Sequence, residues 1–156
     1  MTYTLIDSVT LGSSAASVTF SGIDQSYGDL IISVDASNSG IEDFLMTLNS
    51  DTTNANYRNV RMRGNGSTTY SNSQTNRQIA TIFTDPSYAQ IQLMDYSATD
   101  KHTSALARSG LASSQVWAYA WRWANTAAVT SIQLSPGAGT LNTGSTFFLY
   151  GIAKAL

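Results

Sequence analysis

The sequence has 156 residues, of which 12% are charged, and a formal net charge of −2. This length fits one domain, residues 1–156, with a hydrophobic core of its own, and the slight negative charge argues against a nucleic-acid partner held through its phosphates. The absence of cysteine excludes disulfides and thiolate metal sites, and no apolar stretch approaches the roughly 20 residues that span a membrane.

Apolar residues alternate with polar ones along most of the chain, with the period of two that is typical of β-strands. In chain order the pattern predicts strands at residues 3–5, 9–11, 18–20, 30–34, 44–48, 79–83, 91–93, 116–123, 129–134 and 147–149. Segments rich in Gly, Ser, Asn and Asp separate them, as turns do. We therefore predict an all-β fold, an antiparallel β-sandwich of about ten short strands with jelly-roll-like topology.

Helical signals are weak and local. Residues 54–58 and 104–109 are each compatible with one helical turn, and neither has a long amphipathic face. Residues 63–77 contain almost no apolar side chain and predict a long exposed loop or arm.

Four aromatic residues occupy alternate positions in the predicted strand at residues 116–123. All three tryptophans of the chain are among them: Trp117, Tyr119, Trp121 and Trp123. On a strand all four point to one face, whereas on a helix they would scatter around the axis. This aromatic ladder predicts one wall of a sandwich core, a subunit interface or an exposed platform for stacking sugars.

Half of the basic residues are concentrated in the middle of the chain, at Arg58, Arg61, Arg63 and Arg77. Arg61 and Arg63 alternate with apolar residues, which predicts one basic face on a strand. All four arginines, together with Tyr70, are candidates for an interface with a partner's carboxylates, because arginine is enriched in interfaces and forms bidentate bonds. A solvated surface is the alternative.

Catalytic and metal signals are sparse. His102 is the only histidine and no Gly-x-Ser-x-Gly turn accompanies it, while most aspartates fall where turns are predicted. Asn49, Asp51 and Asn54 offer oxygen ligands for calcium, but the full calcium-loop pattern is absent. We predict a protein that is not an enzyme and that has no cofactor.

The strand and turn motifs resemble those of tailed-phage virion β-sandwich proteins, notably from phages of cyanobacteria. The segments that carry the resemblance are Ala16-Ser-Val-Thr-Phe-Ser-Gly-Ile23, Tyr27 to Val34, Leu48-Asn49-Ser-Asp51 with Asn56-Tyr57 downstream, Trp121-Arg-Trp-Ala-Asn-Thr-Ala-Ala-Val-Thr-Ser-Ile-Gln-Leu-Ser-Pro136 and Gly144-Ser-Thr-Phe-Phe-Leu-Tyr-Gly-Ile152.

The resemblance implies a capsid cement or decoration protein, a homotrimer that binds the major capsid protein between capsomers on the outer shell. The alternative that it implies is a receptor-binding or carbohydrate-binding module of a tail or baseplate. The first residues lack the basic and apolar segments of a signal peptide. Synthesis in the host cytoplasm is therefore expected, and the resemblance implies a final location on the capsid surface of a virion.

Overall fold

The computed structural model describes residues 2–111 and 113–154, which form twelve β-strands and one short 3₁₀ helix, Asn54–Asn56. The strands are β1 (Tyr3–Thr10), β2 (Val18–Ser21), β3 (Tyr27–Ala36), β4 (Glu42–Leu48), β5 (Tyr57–Gly64), β6 (Thr69–Gln74), β7 (Gln78–Ile82), β8 (Ser87–Met94), β9 (Thr103–Leu111), β10 (Gln115–Trp123), β11 (Ser131–Pro136) and β12 (Thr146–Ala153). The predicted all-β antiparallel sandwich is confirmed, with twelve strands instead of about ten.

The strands form two antiparallel sheets. The larger has eight strands in the order β1-β12-β3-β8-β9-β10-β5-β6, and the smaller has four in the order β2-β11-β4-β7. Most neighbours in each sheet are distant in sequence, which gives the fold its jelly-roll-like connectivity. No helix in the described part of the chain is long and apolar enough to cross a membrane.

The core lies between the two sheets and forms one continuous cluster. The eight-stranded sheet contributes alternate residues such as Leu30, Ile32 and Val34 of β3, whereas all of Gln78–Ile82 in β7 is buried. β7 is the edge strand of the smaller sheet and packs against β8, β9 and β10. Burial decreases along the inner side of β5 and β6, because these strands extend past the cover that β7 provides.

Strands β6 and β9 were not among the predicted ones, whereas β5 was indicated only by the alternation of Arg61 and Arg63 with apolar residues. In β9 the inward positions hold small residues, Thr103, Ala105, Ala107 and Ser109, so the chain shows little apolar alternation there. The predicted helical turn at residues 104–109 is therefore wrong. The predicted turn near residue 54 is present as the 3₁₀ helix.

The predicted exposed loop at residues 63–77 is instead a β-hairpin for most of its length. β5 and β6 pair from Asn59↔Gln74 to Gly64↔Thr69, and Asn65 closes the turn by accepting hydrogen bonds from the backbone of Ser67 and Thr68. β6 is a polar edge strand, and such strands resist unwanted pairing with other chains.

Candidate interaction site

The pairing of β10, β5 and β6 brings distant residues into one row on the inner side of the eight-stranded sheet. Trp117 is opposite Arg63, and Arg63 is opposite Tyr70. Arg61 lies in the next row, between Tyr119 and Asn72. Arg61, Arg63, Tyr70 and Trp117 thus form an arginine–aromatic cluster at the uncovered edge of the core.

Both guanidinium groups of the cluster lie against aromatic rings. The Cζ atoms of Arg61 and Arg63 are each 5.4 Å from the Trp117 ring centroid, and 5.8 and 5.7 Å, respectively, from that of Tyr70. Each such contact stabilises by about 0.5–1 kcal/mol at an exposed site. The rings therefore order both arginine side chains at the edge of the sheet.

Arg61 is also bonded inward. Its Nε donates to Asn72 Oδ1 at 2.8 Å and its Nη1 donates to Gln78 Oε1 at 2.5 Å, while Asp43 Oδ1 lies 3.7 Å from Nη1. Partial burial raises the pKa of Asp43, and the nearby Arg61 opposes that rise. Arg61 therefore serves mainly to tie β5 to β7 and to β4.

Arg63 differs from Arg61 because it has no hydrogen bond or ion pair with any residue that the structure describes. Its Nε–H is buried without an acceptor, and so is the indole Nε1–H of Trp117 in the same cluster. Buried donors of this kind are uncommon in folded proteins. Arg63 is therefore an ordered cation whose charge no residue in the described part of the chain compensates.

The other two predicted arginines lie elsewhere. Arg58 faces the opposite side of β5 and donates to Thr75 Oγ1, and Arg77 donates to Thr47 Oγ1 and Asn54 Oδ1. The structure thus brings Arg61, Arg63 and Tyr70 together and separates Arg58 and Arg77 from them.

The aromatic ladder is mostly a wall of the core. Tyr119, Trp121 and Trp123 are buried, with exposed fractions of 3%, 3% and 1%, whereas Trp117 is half-buried in the arginine–aromatic cluster. Tyr57 joins the wall, with its ring centroid 5.2 Å from that of Trp121. The ladder therefore cannot offer four exposed rings to a sugar.

Asp51 anchors the far end of the ladder. Its carboxylate accepts hydrogen bonds from Trp123 Nε1 at 2.8 Å, from Asn56 Nδ2 at 2.8 Å and from the backbone N–H of Thr53 at 3.0 Å. Burial alone would raise the pKa of Asp51, but these hydrogen bonds together outweigh it and lower the pKa to about 2. The bonds stabilise the ionised form.

We expect Asp51→Asn to reduce the free energy of unfolding by about 1–2 kcal/mol at neutral pH, because the bonds to a charged acceptor are weakened. A depressed folded-state pKa stabilises the fold above the ordinary pKa, near 3.8, and this stabilisation disappears as the pH falls towards 2. Urea unfolding followed by circular dichroism should show the variant and wild type converging over that range. Asp85→Asn, at an exposed position, is the control and should leave stability at neutral pH unchanged.

The outer face of the eight-stranded sheet is a second unusual surface, and the sequence analysis did not predict it. Of nine exposed large apolar residues among the described ones, eight belong to strands of this sheet and seven of these lie on its outer face, with exposed fractions between 49% and 64%. They are Tyr3, Leu5, Val60, Met62, Tyr88, Leu106 and Val116. Exposed apolar groups gathered on one surface mark interaction sites.

A single cross-strand row shows how continuous this outer face is. From β1 to β5 the paired residues are Leu5, Tyr150, Ile31, Gln92, Leu106, Ala120 and Val60. Six of these seven are apolar, so the row crosses almost the whole sheet with little polar interruption. A sequence signal for this apolar outer face was present in β5, where apolar Val60 and Met62 point outward while Asn59 and Arg61 point inward.

The remaining candidates are not brought together. His102 is exposed between β8 and β9. The side chain of Asn49 holds the backbone of residues 130 and 131, and Asn54 accepts from Arg77. Among residues 2–111 and 113–154, no group of three His, Cys, Asp or Glu side chains is placed to hold a metal.

Comparisons with known proteins show likeness in architecture only. Neither a protein-family model nor a curated protein matches the chain. Among solved structures, the galectin LEC-6 of Caenorhabditis elegans is similar over 94% of this chain and 96% of its own, at 10% identity and a TM-score of 0.38. The alginate lyase Aly36B, solved in complex with an alginate tetrasaccharide, is similar over 96% of this chain and 80% of its own, also at 10% identity and a TM-score of 0.38.

Proposed function

We propose that this protein is a non-enzymatic capsid cement or decoration protein. In this role it binds the outer shell of a tailed phage between capsomers of the major capsid protein and stabilises the head. The observation that carries the proposal is Arg63, which two aromatic rings hold at an open edge and whose charge no described residue compensates. The choice of partner rests on the resemblance of the strand and turn motifs to virion β-sandwich proteins.

A guanidinium fork recognises a carboxylate through two parallel hydrogen bonds. Arg63 is held in place before binding, so it loses little conformational freedom when such a bond forms. Arg61, Tyr70 and Trp117 flank it and supply apolar area around the charge. The proposed contact is thus an acidic side chain of the shell inserted beside Arg63.

Each copy would bury an interface of about 1,600 Å² against the shell. Repetition of that contact over the lattice multiplies modest affinities through effective concentration. Shells that lack the protein should therefore lose their genome at a lower temperature and after milder osmotic shock than complete shells. Equal resistance of the two kinds of shell would refute the cement function.

We expect Arg63→Gln to weaken binding to shells that lack the protein by about 10- to 100-fold, because one charge-assisted contact is lost. Arg77→Gln is the matched control, since Arg77 is already bonded to Thr47 and Asn54 within the chain. Co-sedimentation of each variant with shells measures the affinity. If Arg63→Gln and Arg77→Gln bind equally well, Arg63 is not the contact.

A further inference from the structure

We propose that the outer face of the eight-stranded sheet is the surface through which one copy of this chain packs against another copy. The inference goes beyond the proposed function, which concerns only the contact between this chain and the shell. It depends on different residues from the arginine–aromatic cluster, on the opposite side of the sheet.

The first support is the composition of the face. The row from Leu5 to Val60 and the flanking residues Met62, Tyr88 and Val116 place apolar side chains on β1, β12, β3, β8, β9, β10 and β5. A soluble monomer rarely exposes a contiguous apolar patch of this extent. The composition of this outer face is therefore similar to that of a sheet face that packs against a second sheet.

The second support is the distribution of charge on the same face. The strand pairing points Asp29 and Asp35 outward from β3, and it points Arg58, Arg108 and Arg122 outward from β5, β9 and β10. The carboxylates therefore lie on one half of the sheet and the guanidinium groups on the other. A surface with this arrangement is complementary to itself once a second copy is turned so that unlike halves meet.

The third support is size. Eight strands about 4.8 Å apart and about eight residues long cover roughly 900 Å², which is close to the 800 Å² or so per partner in a stable interface. Facing sheets pack about 10 Å apart with their side chains interleaved. Small side chains at Ala118 and Ala120 leave room for such approach along β10.

Another copy is favoured over a different protein because one face supplies both charge halves and the apolar row that runs across them. A two-fold axis would bring the two faces directly together. A three-fold axis would turn three such faces inward, so that the basic half of each meets the acidic half of the next. Both arrangements cover the same residues.

The test is the mass of the purified protein in solution, in the absence of any shell. Light scattering should give a multiple of the 16.7 kDa chain mass for the wild type. The double variant Val60→Glu, Leu106→Glu should fall to the mass of one chain, because both charges are placed within the apolar row. Ile41→Glu is the matched control, since Ile41 is at least as exposed but lies just before β4 of the smaller sheet, away from this face.

A second variant keeps the test decisive if the double glutamate variant does not fold. The chain has no cysteine, so the single thiol of Leu106→Cys should be shielded from a bulky thiol reagent in the assembled protein, while the thiol of the exposed Ile41→Cys should react freely. A wild type with the mass of a single chain at about 100 µM overturns the proposal, and so does a folded glutamate variant that keeps the higher mass. If the outer face is covered only when shells are added, that result also counts against the proposal. Failure here leaves shell binding through Arg63 intact, which distinguishes the two proposals.

Discussion

Replacing Trp123 with alanine is expected to lower the free energy of unfolding by about 3–5 kcal/mol, the usual cost of truncating a large buried aromatic residue. Trp123 is 1% exposed, and its indole donates to Asp51 Oδ2 at 2.8 Å. Its ring also lies 6.4 Å from that of Tyr57. Truncation would leave a cavity between the sheets and remove one donor from the Asp51 carboxylate.

Trp117→Ala is the matched control because it removes the same side chain from the same strand. Trp117 is half-buried and its Nε1 has no acceptor among the described residues. Its loss should cost less than about 2 kcal/mol, mainly through the two cation–π contacts. Urea unfolding followed by far-ultraviolet circular dichroism measures both changes. If the two variants lose similar amounts of unfolding free energy, the buried part of the ladder does not stabilise the fold more than its half-buried end does.

Gly151→Ala is expected to destabilise the protein by about 1–3 kcal/mol, the cost of overpacking a filled site. Gly151 is buried in β12, and a methyl group there would overlap the ring of Tyr27, which packs across the glycine. Tyr27 also packs against the core, so its ring cannot simply swing away. The strain should appear as a lower thermal midpoint.

Gly12→Ala provides the comparison for Gly151→Ala. Gly12 is exposed and an added methyl group there would meet no atom within 4 Å. The substitution should leave stability unchanged or raise it by about 0.4–1 kcal/mol, because alanine restricts the unfolded chain. If both glycine variants unfold at the same temperature, the packing of Tyr27 on Gly151 is not a constraint on the fold.

Most of the strands that were predicted correctly share one property. Their inward residues are large and apolar, as in β3 and β12, so alternation is visible in the sequence itself. β1 is an exception, because its Tyr3 and Leu5 lie on the exposed outer face. β9 escaped prediction because its inward residues are small, and β6 because it is a polar edge strand. Such strands are specified by their neighbours more than by their own composition.

The interaction site could be predicted only in part. Alternation placed Arg61 and Arg63 on one face of a strand, as observed. It could not indicate that Trp117 and Tyr70 would flank them, because these contacts join β10, β5 and β6. Nor could it separate Arg58 and Arg77 from the cluster, since their partners Thr75, Thr47 and Asn54 lie 17 to 30 residues away.

The sequence by itself determined the sandwich class and the common direction of the four ladder aromatics, because a strand has a period of two and the chain obeys it. Only the tertiary structure decided which side of each strand is covered. That choice depends on the reach of the smaller sheet, which covers Tyr119, Trp121 and Trp123 and leaves the arginine–aromatic cluster at its margin. The smaller sheet also leaves the apolar outer face of the larger sheet open. The sequence could not show this, because an alternating pattern identifies the two faces of a strand but not which of them meets another sheet.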